Sequence, residues 1–140
     1  MKYLLDADTL IDYIQDRGNA RPRITVLIEQ DDEVAVCAVT IAEVYTGLSD
    51  KRRDIWESWI MELSYWHIGY DVAVTAGRYR KTASESGRTL AVTDSLLAAL
   101  SRDKGAILLT SNNQGLPDER CSGAIASGQG CMITVGWRKR

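Results

Sequence analysis

The sequence predicts one α/β domain built on a mainly parallel sheet with helices on both faces. Three observations lead there. Short apolar runs alternate with segments of helical character along most of the 140 residues, the pattern of strand–helix–strand units. The run Val34-Ala35-Val36-Cys37-Ala38-Val39 is apolar without alternation, as in a strand covered on both sides. Acidic residues fall at or beside the ends of apolar runs: Asp6 after Tyr3-Leu4-Leu5, Glu43 just past the 34–39 run, and Asp94 at the opening of the stretch from Ser95 to Leu100.

The elements follow in order. Residues 2–6 read as the first strand, and 9–14 continue as helix with Leu10, Ile11 and Ile14 on one side. Asp16-Arg17-Gly18-Asn19 is a turn, and Pro22 suits the first turn of a second helix that runs to about residue 30. Residues 33–39 form the second strand. A helix follows from Thr40 to about Leu48, where Thr40-Ile41-Ala42-Glu43 matches a capping box. Residues 54–63 form another helix, with Ile55, Trp59, Met61 and Leu63 among its apolar positions, and 65–68 a short strand. Asp71 caps a helix that reaches Ser86 and ends at Gly87. The next helix spans 93 to about 104, with Gly105 as its stop, and 106–110 is a strand. The Gly-rich polar stretch 112–130 reads as loop, and 131–135 as a last strand.

Composition narrows the function classes. The length fits a single domain spanning 1–140, which buries roughly two-thirds of its unfolded surface. A hydrophobic fraction of 45% argues against disorder. No apolar run approaches the roughly 20 residues needed to cross a bilayer, so no membrane partner is expected. The strand-like N-terminus carries no signal-peptide pattern, so a cytoplasmic location is expected. Cys37, Cys121 and Cys131 are odd in number and far apart. They lack zinc-site spacing, Cys37 reads as a buried strand residue, and a reducing compartment fits.

A net charge of −2 excludes nucleic-acid binding by bulk attraction. Nucleic acid remains open as a substrate, held by local cations such as Arg52, Arg53, Arg78, Arg80, Lys81, Arg88 or the tail Arg138-Lys139-Arg140. Taken singly, each of these is more simply a solvated side chain. His67, the only histidine, has no partner at ligand spacing and reads as a packing or surface residue. Trp56, Trp59 and Trp66 read as core, with an interface as the alternative.

Each acid has a structural explanation. Asp6 or Asp8 would cap a helix, Glu43 would complete the capping box, and Asp94 would favour a helix N-terminus. Their joint placement points elsewhere. In an open parallel sheet, ligands bind outside the carboxyl ends of the strands. Carboxylates converging there repel one another unless protons or a cation neutralise them. Hard divalent cations take oxygen ligands, so Mg²⁺ or Mn²⁺ is the natural occupant.

Four segments then carry a resemblance. Tyr3-Leu4-Leu5-Asp6-Ala7-Asp8-Thr9-Leu10 resembles the opening motif of PIN-domain nucleases. Thr40-Ile41-Ala42-Glu43-Val44-Tyr45-Thr46-Gly47-Leu48 resembles their second motif, and Thr93-Asp94-Ser95-Leu96-Leu97-Ala98-Ala99 their third. Gly105-Ala106-Ile107-Leu108-Leu109-Thr110-Ser111-Asn112 follows at family-like spacing. Order and spacing are similar to small stand-alone PIN toxins of the VapC type, from residue 2 to about 113. The resemblance implies a PIN-like, doubly wound α/β fold and a metal-dependent endoribonuclease that cleaves cellular RNA and is silenced by a cognate antitoxin. It also implies a homodimer. Carried over by position, Asp6, Glu43 and Asp94 are the core acids and metal ligands. Asn112 stands in a fourth, often acidic, place. Thr110 matches a hydroxyl position near the site, and Asp8 stands where the family commonly has Asn.

The chain departs from the family pattern at Asn113-Gln114-Gly115-Leu116-Pro117, where an Asp and then an aromatic residue are usual. Asn112 or Asp118 would therefore complete the metal site. A neutral Asn112 implies weak Mg²⁺ binding and a preference for Mn²⁺.

Two other classes stay open on the residues. Asp6-Ala7-Asp8 resembles the opening of haloacid-dehalogenase-type phosphatases, but Leu10 stands where that motif expects Thr. A catalytically weakened PIN-like module that only binds RNA or protein is the other. Metal-dependent RNA cleavage discriminates among all three.

Overall fold

The computed structural model describes residues 1–110. The expected loop over 112–130, the strand over 131–135, Asn112, Asp118, Cys121 and Cys131 lie outside the described residues. Strands β1 (Lys2–Leu5), β2 (Glu33–Cys37), β3 (Ser64–Trp66) and β4 (Ile107–Leu109) form a parallel sheet in the order β3-β2-β1-β4. Helices α1 (Ala7–Gln15) and α2 (Ala20–Glu29) connect β1 to β2, and α3 (Ala38–Gly47) and α4 (Arg53–Met61) connect β2 to β3. Helices α5 (Tyr70–Glu85) and α6 (Val92–Lys104) lead to β4. The first three strands step outward from β1, and β4 returns to its other side. The topological switch therefore lies between β1 and β4, where open α/β sheets place their ligands.

Register sorts the strand side chains onto two faces with a period of two. Leu4 lies opposite Ala35 and Leu108. These residues pack with Cys37 against Val72 and Ala76 of α5 and Leu97 and Leu100 of α6. Leu5, Val34, Val36 and Leu109 pack on the other face with Leu10, Tyr13, Ile24, Val44 and Trp56. Each fully buried Leu, Ile or Val contributes about 1.5–3 kcal/mol. Covering both faces explains why β2 reads as an unbroken apolar run, and the doubly wound arrangement matches the expectation.

Local signals account for most boundaries. Asp6 is the N-cap of α1, its carboxylate accepting from the Thr9 amide at 2.7 Å. Gly105 ends α6 with φ of 62°, the left-handed conformation that glycine adopts freely. Trp56 and Trp66 are buried, and the Trp66 indole N–H donates to Glu33 at 2.8 Å. His67 is exposed and stands edge-on to the Tyr65 ring.

Three expectations are corrected. Strand β2 ends at Cys37 and α3 begins at Ala38, because Ala38 and Val39 are apolar in either state and the run alone does not mark its end. The capping box at Thr40 does not form: Cys37 is the N-cap of α3, without a side-chain cap. Thr40 sits inside the helix, fully buried, and its hydroxyl donates to the Leu5 carbonyl at 2.9 Å. Asp71 is not the cap of α5; Gly69 is, and Asp71 lies in the first turn, where the helix dipole favours a negative charge.

Candidate active site at the carboxyl edge of the sheet

Asp6 stands directly at the β1–β4 switch. It is 9% exposed, and its backbone N–H donates to the Leu109 carbonyl at 3.1 Å. The Thr9 hydroxyl donates to the same carbonyl at 3.1 Å. The buried Thr110 hydroxyl, at the end of β4, bonds the Asp6 carboxylate. Glu43 approaches from α3, exposed on its outer side, and Asp94 from the first turn of α6, half-buried. The Thr93 hydroxyl, beside Asp94 on α6, acts on the Glu43 carboxylate of α3 and favours its charged form. Asp8 is exposed on α1.

The electrostatics tie these acids into one group. Burial pushes the Asp6 carboxyl above the usual range, bonds from Thr110 and Thr9 pull back, and the Asp8 charge pushes it further up. Burial likewise raises Glu43, followed by the charge of Asp94 and, more weakly, those of Asp6 and Asp8; the Thr93 bond opposes the rise. Asp94 is raised by burial and by Asp8. Among the described residues, none of these acids forms a salt bridge with Lys, Arg or His.

The donor set fits a hard divalent cation, which prefers carboxylate oxygens. Among the described residues, no three His, Cys, Asp or Glu side chains lie close enough together to hold an ion as they stand.

These shifts give a signed pH dependence. The folded state holds protons on Asp6, Glu43 and Asp94 more tightly than the unfolded chain does. Stability from these groups is complete below their ordinary pKa values and is lost as pH rises through the raised ones. Glu57 has the opposite sense, lowered by bonds from Tyr45 and Arg53; its stabilisation is complete above the ordinary glutamate value and is lost only as pH falls below it. The metal-free protein is therefore expected to melt higher as pH falls from neutral toward the upper carboxylate range. Asp6→Asn should shrink that gain; a melting temperature that falls over the interval contradicts the assignment.

Of the residues singled out in the sequence, the structure brings Asp6, Thr110, Glu43 and Asp94 to one edge of the sheet, with Asp8 exposed beside them. Sequence reasoning missed the hydroxyls of Thr9, Thr40 and Thr93. The available signal was a threonine within three residues of each core acid.

The fold and its edge define an α/β domain that carries polar groups at the topological switch of a parallel sheet. The family model of the PIN domain matches residues 3–118, and the chain belongs to the PIN domain family. That membership removes the haloacid-dehalogenase-type alternative. No curated protein matches the sequence. Among solved structures, the chain is similar to VapBC2 from Rickettsia felis bound to a DNA fragment from its promoter. The identity is 18% and the TM-score 0.72, over 81% of this chain and 90% of that one. It is similar to DNA-bound VapBC from Salmonella typhimurium, at 20% identity and TM-score 0.68, over 81% and 89% of the two chains. VapBC-1 from nontypeable Haemophilus influenzae matches at 22% identity and TM-score 0.63, over 80% and 87%.

Proposed function

We propose that this chain is a metal-dependent endoribonuclease of the VapC type, the toxin of a toxin–antitoxin pair. The observation that carries this reading is the gathering of Asp6, Glu43 and Asp94 from β1, α3 and α6 at one edge of the sheet, where Glu43 feels the charges of Asp94 and Asp6, Asp8 acts on all three, and no salt bridge among the described residues balances them. Asp6, Glu43 and Asp94 would hold Mg²⁺ or Mn²⁺. Such an ion lowers the pKa of a bound water and stabilises charge on phosphoryl oxygens. Thr110 and Thr9 hold the Asp6 carboxylate, Thr93 favours the charged form of Glu43, and Asp8 adds negative charge at the rim. Asn112 would supply a neutral oxygen, which favours Mn²⁺ over Mg²⁺.

The partner of such a toxin would be a cognate antitoxin protein. Helix α4 presents the surface for it. Ile55 and Met61 are 51% and 84% exposed, beside the half-buried Trp59 and Ile60. An apolar antitoxin segment would lie along this helix, and a basic side chain would neutralise the acidic edge in place of metal. A homodimer in the cytoplasm completes the proposal; among the described residues, no helix is long and apolar enough to cross a membrane.

Expression of the chain alone should arrest growth, and co-expression of the neighbouring antitoxin should relieve it. Asp6→Asn should remove the toxicity. Harmless expression of folded protein that still cleaves RNA contradicts the toxin role. The spacing of the acids favours one competing reading, a PIN-like module that binds RNA or protein without cutting it. In that case RNA stays intact in Mn²⁺ although it binds.

A further inference from the structure

Thr40 is fully buried within α3, one helical turn before Glu43. Its hydroxyl donates to the Leu5 carbonyl at 2.9 Å, and its oxygen lies 3.6 Å from the Cys37 sulfur. A threonine hydroxyl has one proton. That proton goes to Leu5, so the Cys37 thiol is the donor in the second contact. The result is a short chain of bonds from Cys37 through Thr40 to Leu5. Leu5 is the residue before Asp6, and Glu43 lies three positions after Thr40 on the same side of the helix. One buried bond thus joins the strand end that carries Asp6 to the helical turn that carries Glu43. Thr9 makes the matching connection on the other flank, from α1 to the Leu109 carbonyl of β4.

We propose that Thr40 is a positioning residue of the acidic site, setting the separation of Asp6 and Glu43 on which metal affinity depends. The proposal rests on the ribonuclease reading above. A structural hydroxyl in the core affects stability alone; a positioning hydroxyl also changes how well the two acids share an ion.

The test is calorimetric titration with Mn²⁺, alongside thermal melting, for the parent, Thr40→Val, Thr40→Ser and Val72→Ala. Valine keeps the shape of threonine and removes the hydroxyl; serine keeps the hydroxyl. Val72 is a buried residue of α5 in the second core cluster, on an element that carries none of the three acids. Thr40→Val should raise the Mn²⁺ Kd on the order of tenfold, the scale of a lost outer hydrogen bond at a metal site. Thr40→Ser should stay within about twofold of the parent, well inside that scale. Val72→Ala should melt lower with an unchanged Kd. If the valine variant does not fold, Thr40→Ala carries the same comparison. Parental affinity in Thr40→Val, or equal weakening in Val72→Ala, overturns the positioning role while leaving the metal site standing. A parent that binds no Mn²⁺ overturns the ribonuclease reading and the positioning role with it.

Discussion

Asp94→Asn is expected to lower RNA cleavage by on the order of a hundredfold or more while leaving the fold in place. Asp94 lies in the first turn of α6, half-buried, with its carboxyl raised by burial and by the charge of Asp8. Asparagine fills the same volume and still offers an oxygen, but it brings no charge to neutralise a divalent ion. The charged form of Asp94 is disfavoured in the fold, so removing it does not lower stability at neutral pH. The variant should melt at or above the parent without metal and gain less on adding Mn²⁺. Single-turnover cleavage in Mn²⁺ and paired melting curves check both halves. Cleavage at the parental rate removes Asp94 from the site.

Leu10→Ala is expected to cost about 2–5 kcal/mol, a large share of the 5–15 kcal/mol that holds a typical domain together. Leu10 is 0% exposed and packs in the cluster with Leu5, Val36 and Leu109. Its backbone N–H donates to the Asp6 carbonyl at 3.0 Å, so the side chain seats α1 on the sheet at the turn that Asp6 caps. The backbone bond survives the substitution. The folded fraction should therefore keep its Mn²⁺ affinity while the denaturation midpoint drops. A loss under about 1 kcal/mol, below the range for a buried leucine, would mean that α1 is not seated as described.

The sequence made the architecture legible because burial on two faces leaves a strong trace. Unbroken apolar runs marked β1, β2 and β4, and Gly105 marked the end of α6. Boundaries between apolar elements were less legible, as at Cys37 and Ala38, where the apolar run continues from the buried strand end into an exposed first helical residue. The acids were legible from their position after strands and from their resemblance to a family pattern. Their buried hydroxyl partners were not. Thr40 looked like a cap because its nearest sequence signal, Glu43, is three residues away. Its actual acceptor, the Leu5 carbonyl, is 35 residues distant in the chain and meets it only once β1 and α3 are packed. The placement of the acids is likewise a property of the packed edge, which joins β1, α3 and α6 and which no local pattern records.

The most direct measurement incubates the purified protein with total RNA and maps every new end, with Mn²⁺, with Mg²⁺ and with a chelator. Discrete internal ends are expected, more abundant in Mn²⁺ than in Mg²⁺. They should be lost on chelation and lost again in Asp6→Asn and Asp94→Asn. RNA that stays intact in both metals, or ends that persist in the chelator and in both variants, contradicts a metal-dependent ribonuclease site at Asp6, Glu43 and Asp94.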